Sequence, residues 1–103
     1  MGDESLRLSA IDDLIAACER IAAFTEECTQ PQFYRSALVW SAVAFQIIVL
    51  GEAAKRLNPD VRERFSTVPW KDIIGMRDIL SHKYETIDLE ELWDTVQGDV
   101  PKL

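Results

Sequence analysis

Apolar residues in the first quarter of the chain recur every three or four positions, which is the spacing of one face of an α-helix. Ser9-Ala10-Ile11-Asp12, near the start of this stretch, resembles a capping box with aspartate in place of glutamate. The pattern therefore predicts a first helix from about Ser9 to Glu27. Its apolar face is made of Leu8, Ile11, Leu14, Ile15, Cys18, Ile21, Ala22 and Phe24.

A second apolar segment follows Pro31 and predicts a helix from about Phe33 to Leu57. Between Ser36 and Leu50 this helix is apolar on more than one side, so it needs neighbours on more than one side. One small bundle would leave part of that surface uncovered. We therefore expect a second copy of the chain to cover it, giving a homodimer.

Prolines and capping residues predict three shorter helices in the second half of the chain. Asn58-Pro59 is typical of a helix end followed at once by the N-cap and first residue of a short helix, which extends to about Phe65. Pro69 begins a fourth helix that ends at about His82. Asp88-Leu89-Glu90-Glu91 has the pattern of an N-terminal cap and predicts a last helix.

The length and the periodicity fit one all-α domain. The last predicted helix ends near Gly98, and no segment shows the alternation of a β-strand. The chain has 103 residues, of which 48% are hydrophobic, enough for a single core of ordinary depth. We predict one domain over residues 1–103, an up-and-down bundle of four to five helices.

The sequence favours a soluble, cytoplasmic protein without a membrane contact. The longest apolar run, Ala42 to Leu50, is interrupted by Gln46 and is shorter than the roughly 20 residues of a membrane span. No secretory signal pattern begins the chain, and Leu6 stands where a myristoylation motif has Ser or Thr.

Metal and cofactor sites are not predicted. Cys18 and Cys28 lack CxxC spacing, and the chain has a single histidine, His82, so neither cysteine belongs to a recognisable ligand set. We expect both to be reduced, packed thiols without a catalytic role.

Charge is unevenly distributed along the chain. The net charge of -7 argues against nonspecific coating of nucleic acid, because phosphate neutralisation drives such binding. Between Lys55 and Lys83, however, seven basic residues stand against four acidic ones. This excess indicates either an ordinary mixed helix surface or a modest attraction for a short anionic ligand.

The fourth predicted helix has a polar side that contains the histidine. At 100° per residue, Asp78, Ser81 and His82 lie away from the apolar stripe. Asp78, one turn before His82, is able to accept a hydrogen bond from the imidazole ring and fix its orientation. The apolar stripe is formed by Ile73, Met76, Leu80 and Tyr84.

Arg77 lies about 140° around the helix from His82, too far for both side chains to hold one phosphate. Two chains packed with these helices side by side would bring Arg77 and His82 of both into one groove. Histidine could then move a proton on a ribose hydroxyl, and arginine could stabilise the charged phosphate. Both residues also have ordinary interpretations, a structural histidine and a salt-bridged arginine.

The run Arg77-x4-His82-x-Tyr84 resembles the RX4HXY motif of HepT-like toxins, small helical ribonucleases of the HEPN superfamily. The resemblance covers residues 33–103 and includes several flanking blocks. These blocks are Leu50-Gly51-Glu52-Ala53-Ala54-Lys55-Arg56-Leu57, Val68-Pro69-Trp70-Lys71-Asp72-Ile73-Ile74-Gly75-Met76-Arg77-Asp78 and Asp88-Leu89-Glu90-Glu91-Leu92-Trp93.

The resemblance implies a homodimeric HEPN-like bundle that cleaves RNA without a metal at a site on the dimer interface. It implies that Arg77 and His82 are catalytic, that Asp78 is the polar residue after the arginine, and that Tyr84 is AMPylated. We expect Asp78 and Ser81, on the polar side of the helix with His82, to support the catalytic pair. The modifying partner would be an MntA-type nucleotidyltransferase antitoxin. AMP on Tyr84 would add charge and bulk where an RNA phosphate binds.

Two positions differ from the family pattern, and a second function stays open. Asp78 stands where asparagine is common, and its charge would oppose phosphate binding; Lys83 stands where glycine is frequent. The alternative to a toxin ribonuclease is a non-catalytic helical subunit that binds the nucleotidyltransferase and accepts AMP at Tyr84. A purely structural dimerisation module is a third interpretation.

Overall fold

The structure is a computed structural model that describes residues 2–82 and 87–102. These residues contain helices and connections but no β-strand, which confirms the all-α prediction. The helices are α1 (Gly2–Thr25), α2 (Gln30–Arg35), α3 (Ala37–Arg56), α4 (Pro59–Arg64), α5 (Trp70–His82) and α6 (Leu89–Asp94). After α6 the chain continues as a π-helical turn (Thr95–Asp99) and a 3-10 turn (Val100–Lys102).

The central helix is α3, which packs against α1 and against α5. The predicted stripe of α5 is confirmed for Ile73, Met76 and Leu80, which are buried, whereas Tyr84 lies outside the described residues. The core that these three helices share is made of Ala10, Leu14, Ala17, Ile21, Val43, Ile47, Leu50, Ile73, Met76 and Leu80.

The prediction that the first helix begins at Ser9 was wrong, because α1 already begins at Gly2. Ser9 is exposed inside the helix, where no proline interrupts the backbone hydrogen bonding, so its sequence context does not act as a cap. The predicted apolar face was also too wide. Ile15 and Phe24 are exposed, because α3 covers only a narrow stripe that includes the alanines at positions 10 and 17.

The prediction of one helix from Phe33 to Leu57 was also wrong, because the chain leaves the helical conformation at Ser36. The Ser36 hydroxyl oxygen accepts a hydrogen bond from the Val39 amide, so the residue acts as the N-cap of α3. The separate α2 buries Phe33 against Trp93, with ring centroids 5.1 Å apart. The break therefore fastens α2 to α6.

The other two predicted caps are confirmed. The Asn58 side chain accepts from the Asp60 amide at the start of α4. The Asp88 carboxylate accepts from the Glu91 amide at the start of α6. Between α4 and α5, the Trp70 indole N–H donates to two backbone oxygens, those of Arg62 and Phe65. These bonds fix the entry into α5, the helix that carries the candidate site.

By length and composition alone, α3 is able to cross a membrane. The core helix of a soluble bundle passes the same test, and one side of α3 is covered by α1 and α5. Both cysteines are free thiols, and burial together with the neighbouring Glu19 raises the pKa of Cys18 to about 11. A thiol with this pKa stays protonated near neutral pH and is a poor nucleophile.

Candidate functional site

The polar residues of the candidate site lie on the last two turns of α5. Arg77 is the most enclosed, with 19% of its side chain exposed, whereas the Asp78 side chain is 46% exposed. Ser81 is half-buried and His82 is exposed at the end of the helix. The buried stripe of α5 anchors this arrangement from the opposite side.

Gly51 of α3 sets the distance between α3 and α5 at Arg77. A methyl group built on Gly51 would lie 2.2 Å from Cβ and 2.7 Å from Cγ of Arg77. Any larger residue would therefore displace the arginine or the whole helix. Gly51 thus permits the close packing of α3 against α5.

Arg77 contacts two carboxylates. Its Nη2 donates to Glu52 of α3, and its Nη1 donates to Asp78 Oδ1 at 2.8 Å. The guanidinium is therefore held between two helices by a pair of charge-assisted hydrogen bonds. Its Nε is buried and has no hydrogen-bond partner among the described residues. The interpretation of Arg77 as a salt-bridged residue thus describes the isolated chain.

Asp78 is shared between two cations. Lys55 Nζ of α3 also donates to Asp78 Oδ1, again at 2.8 Å. The hydrogen bond from Lys55, followed by that from Arg77, lowers the pKa of the Asp78 carboxyl below 3.8. Glu52, Arg77, Asp78 and Lys55 form a row of alternating charges across α3 and α5, here called the charge row.

His82 is oriented by its own helix. Its Nδ1 lies 2.9 Å from the backbone oxygen of Asp78. The expectation of a bond to the Asp78 carboxylate was wrong, because the ring bonds the backbone oxygen of Asp78 instead; the carboxylate accepts from Lys55 and Arg77 through Oδ1. Since a carbonyl oxygen only accepts, Nδ1 carries a proton, and the neutral form of the ring held in this way has its lone pair on Nε2. This nitrogen suits a general base.

Arg77 and His82 do not meet within one chain. Arg77 is bonded to Glu52 and Asp78, and His82 is bonded to the backbone of Asp78. They are five residues apart on an unbroken helix, which separates them by about 7.5 Å along the axis and about 140° around it. Their convergence in a two-chain groove stays a prediction.

An apolar stripe on α3 leads to the charge row. Leu38 and Phe45 are 82% and 61% exposed, and Glu52 follows at the same spacing of seven residues. Residues seven apart lie on one side of a helix, so the stripe ends at the carboxylate that holds Arg77. The stripe is uncovered in the single chain, and the expectation that a second copy covers it stays a prediction.

Sequence reasoning did not find Glu52 and Lys55 as members of the site. The available signal was a pair of opposite charges three residues apart at the end of an otherwise apolar helix. Which groups they bind depends on how α3 and α5 pack. Tyr84, the predicted site of modification, lies outside the described residues. Within residues 2–82 and 87–102, no cluster of His, Cys, Asp and Glu is arranged to hold a metal ion.

Comparison with known proteins identifies the family of this chain. The family model described as "Ribonuclease HepT-like" matches residues 14–103. "Putative RNase MJ1380" of Methanocaldococcus jannaschii is 37% identical over 88% of this chain and 84% of its own length. "Probable ribonuclease HepT" of Thermococcus cleftensis is 33% identical over 90% of this chain and 84% of its own length. No solved structure matches. The chain therefore belongs to the HepT-like ribonuclease family of the HEPN superfamily.

Proposed function

We propose that this chain is a metal-independent RNA endonuclease and the toxin of a type VII (HEPN/MNT) toxin–antitoxin system. The observation that carries the proposal is the exposure and orientation of the His82 ring. Its ring is exposed, its Nδ1 is held by a backbone oxygen, and it lies on the same helix as Arg77. A fixed tautomer with an accessible Nε2 is what proton abstraction from a hydroxyl requires.

In the proposed reaction, Nε2 of His82 takes the proton of a ribose 2'-hydroxyl, and that oxygen attacks the adjacent phosphorus. The bond to the 5'-oxygen breaks, and this oxygen takes a proton from a general acid, for which a protonated His82 of the second chain is suited. The products are a 2',3'-cyclic phosphate and a free 5'-hydroxyl. Arg77 stabilises the charge on the phosphate oxygens.

The proposed active form is a homodimer. The exposed stripe with Leu38 and Phe45 supports this, because association would remove both side chains from water. The stripe ends at Glu52, so an interface along it would extend to Arg77. Two copies of α5 would then flank one groove, with Arg77 and His82 contributed by each.

The proposed control is AMPylation of Tyr84 by an MntA-like nucleotidyltransferase antitoxin in the cytoplasm. Tyr84 follows His82 by two residues, so a nucleotide attached to it would stand close to the catalytic ring. The added phosphate charge would repel an RNA phosphate, and its bulk would obstruct the groove.

The charge row favours the second candidate, a non-catalytic subunit that binds the nucleotidyltransferase. Arg77 is already paired with two carboxylates, so a phosphate must compete with Glu52 and Asp78 for it. The net charge of -7 also opposes association with RNA.

Cleavage of single-stranded RNA in EDTA separates the two candidates. The wild type should cut RNA under these conditions, and His82→Ala should be slower by about 10² to 10⁴ fold, as expected for loss of a general base. Gln97→Ala, an exposed change outside the site, should match the wild type. A folded wild type that accepts AMP at Tyr84 but cuts no RNA would support the binding subunit. Undiminished cleavage by His82→Ala would refute the mechanism.

A further inference from the structure

Asp78 is an unfavourable neighbour for a phosphate site unless its charge is offset. Without Lys55, the guanidinium of Arg77 would stand between two carboxylates, Glu52 and Asp78, and the three groups would carry a net charge of -1. With Lys55 bound to Asp78 Oδ1, the charge row is neutral. Lys55 thus removes a repulsive charge within a few ångströms of the arginine.

We propose that Lys55 is a positioning residue of the RNA site, which offsets the charge of Asp78 and so weakens the repulsion that a phosphate meets as it approaches Arg77. The inference rests on the proposed nuclease function. Glu52 and Asp78 orient the guanidinium of Arg77, and Lys55 offsets the charge of Asp78.

The placement of Lys55 supports a local role. It stands three residues after Glu52 on α3, and both reach adjacent residues of α5, Asp78 and Arg77 respectively. The close approach of the helices at Gly51 fixes this register. A lysine elsewhere on the surface would contribute to the net charge but would not reach Asp78.

A matched comparison is available one residue further along α3. Arg56 forms an ion pair with Asp13 of α1, and the exposed fractions of these side chains are 41% and 45%, against 40% and 46% for Lys55 and Asp78. Lys55→Met and Arg56→Met therefore each remove one positive charge and one half-exposed ion pair. Only the Lys55 change leaves the charge row with a net charge of -1.

The experiment measures kcat and KM for a single-stranded RNA at low and high salt, with far-UV circular dichroism to check folding. Lys55→Met should raise KM by about two- to five-fold at low salt with kcat nearly unchanged, and Lys55→Arg should restore it. The effect should shrink at high salt, because half-exposed charges are screened. Arg56→Met should raise KM clearly less.

The same change is then made in an Asp78→Asn background. Here Lys55→Met should raise KM less than it does beside aspartate, since there is no charge left to offset. The inference would be overturned if Lys55→Met raised KM equally in both backgrounds, or if Arg56→Met raised KM as much as Lys55→Met does. Either result would show that KM depends on the net charge of the chain and not on the contact between Lys55 and Asp78.

Two further readouts separate failure of this inference from failure of the nuclease proposal. If the wild type cuts RNA, His82→Ala loses this activity and Lys55→Met keeps it unchanged, only the role of Lys55 is overturned. Wild-type chain that does not cut RNA would overturn the nuclease proposal and with it this role. An NMR titration then still tests the pair itself, because Lys55→Met should raise the pKa of the Asp78 carboxyl and Arg56→Met should not.

Discussion

The close approach of α3 and α5 at Gly51 leads to a quantitative prediction for Gly51→Ala. The new methyl carbon would stand 2.2 Å from Arg77 Cβ, 2.7 Å from Arg77 Cγ and 3.4 Å from the backbone oxygen of Ile73. To reach an ordinary contact of 3.4 Å, the two Cβ atoms must separate by 1.2 Å. A Cβ cannot rotate away from its own backbone, so the helices themselves must move.

The expected cost follows from two opposing terms. Alanine is favoured over glycine in a helix by about 1 kcal/mol. Overpacking a tight helix interface costs typically about 1–3 kcal/mol and more where the backbone must shift. The methyl group meets α5 beside its buried stripe, so we expect the packing term to prevail. Gly51→Ala should lower the free energy of unfolding by about 1–2 kcal/mol and displace Arg77.

Gly75→Ala is the matched control. Gly75 is inside α5, two residues before Arg77, and a methyl group there would meet no atom within 4 Å. Only the helix preference remains, and this variant should gain about 0.5–1 kcal/mol. One variant should lose stability and the other gain it, so their free energies of unfolding should differ by about 1.5–3 kcal/mol.

Urea unfolding followed by far-UV circular dichroism measures this difference, provided that all variants are compared at one chain concentration. Gly51→Ala should also cut RNA more slowly than Gly75→Ala, since it moves Arg77. A Gly51→Ala protein as stable as Gly75→Ala would refute the packing of α3 against α5 described above.

Three further changes test other parts of the fold. Gln46 is 8% exposed, and its amide oxygen has no hydrogen-bond partner among the described residues. Gln46→Met should therefore raise the free energy of unfolding by about 1 kcal/mol in the same urea experiment. Gln97 is exposed, so Gln97→Met should stay within about 0.5 kcal/mol of the wild type. Glu27 has a φ of 58°, a left-handed backbone conformation that glycine adopts at lower cost than other residues. Glu27→Gly should therefore raise the midpoint of thermal unfolding by a few degrees. An equal gain from Glu26→Gly would contradict this reason. The pKa of Asp78 is lowered by its bonds to Lys55 and Arg77, so its contribution to stability is present above pH 3.8 and is lost as the pH falls through the lowered pKa. In an acid titration, Asp78→Asn should therefore lose less stability than the wild type in that pH range. An identical loss in both proteins would contradict this reason.

The elements that the sequence predicted correctly are those determined by local signals. The buried stripe of α5 follows from helical periodicity, and the caps at Asn58 and Asp88 follow from side chains that bond nearby amides. The family resemblance likewise rests on the spacing within each motif and on the order of the motifs along the chain.

The failures arose where local signals compete. Ser36 sits in a segment with strong apolar periodicity, yet its hydroxyl caps a new helix and divides the segment. Ser9 has the sequence of a cap but lies within α1.

The organisation of the site depends on tertiary packing that no local pattern encodes. Glu52 and Lys55 meet Arg77 and Asp78 only because Gly51 lets α5 approach α3. The helical wheel of α5 placed the Asp78 carboxylate near His82, because a wheel does not include the neighbouring helix. In the structure this carboxylate bonds Lys55 of α3, and the backbone oxygen of Asp78 holds the His82 ring.

The central claim, a nuclease site shared by two chains, is tested most directly by Phe45→Glu. Phe45 is 61% exposed on the α3 stripe, so the charge should separate two chains without disturbing the core of either. Phe65→Glu is the control, because Phe65 is 58% exposed but lies after α4, outside the stripe. Light scattering and RNA cleavage are measured on the same samples. Phe45→Glu should be a folded monomer without cleavage activity, whereas Phe65→Glu should be an active dimer. A Phe45→Glu monomer that cuts RNA at the wild-type rate would contradict the shared site.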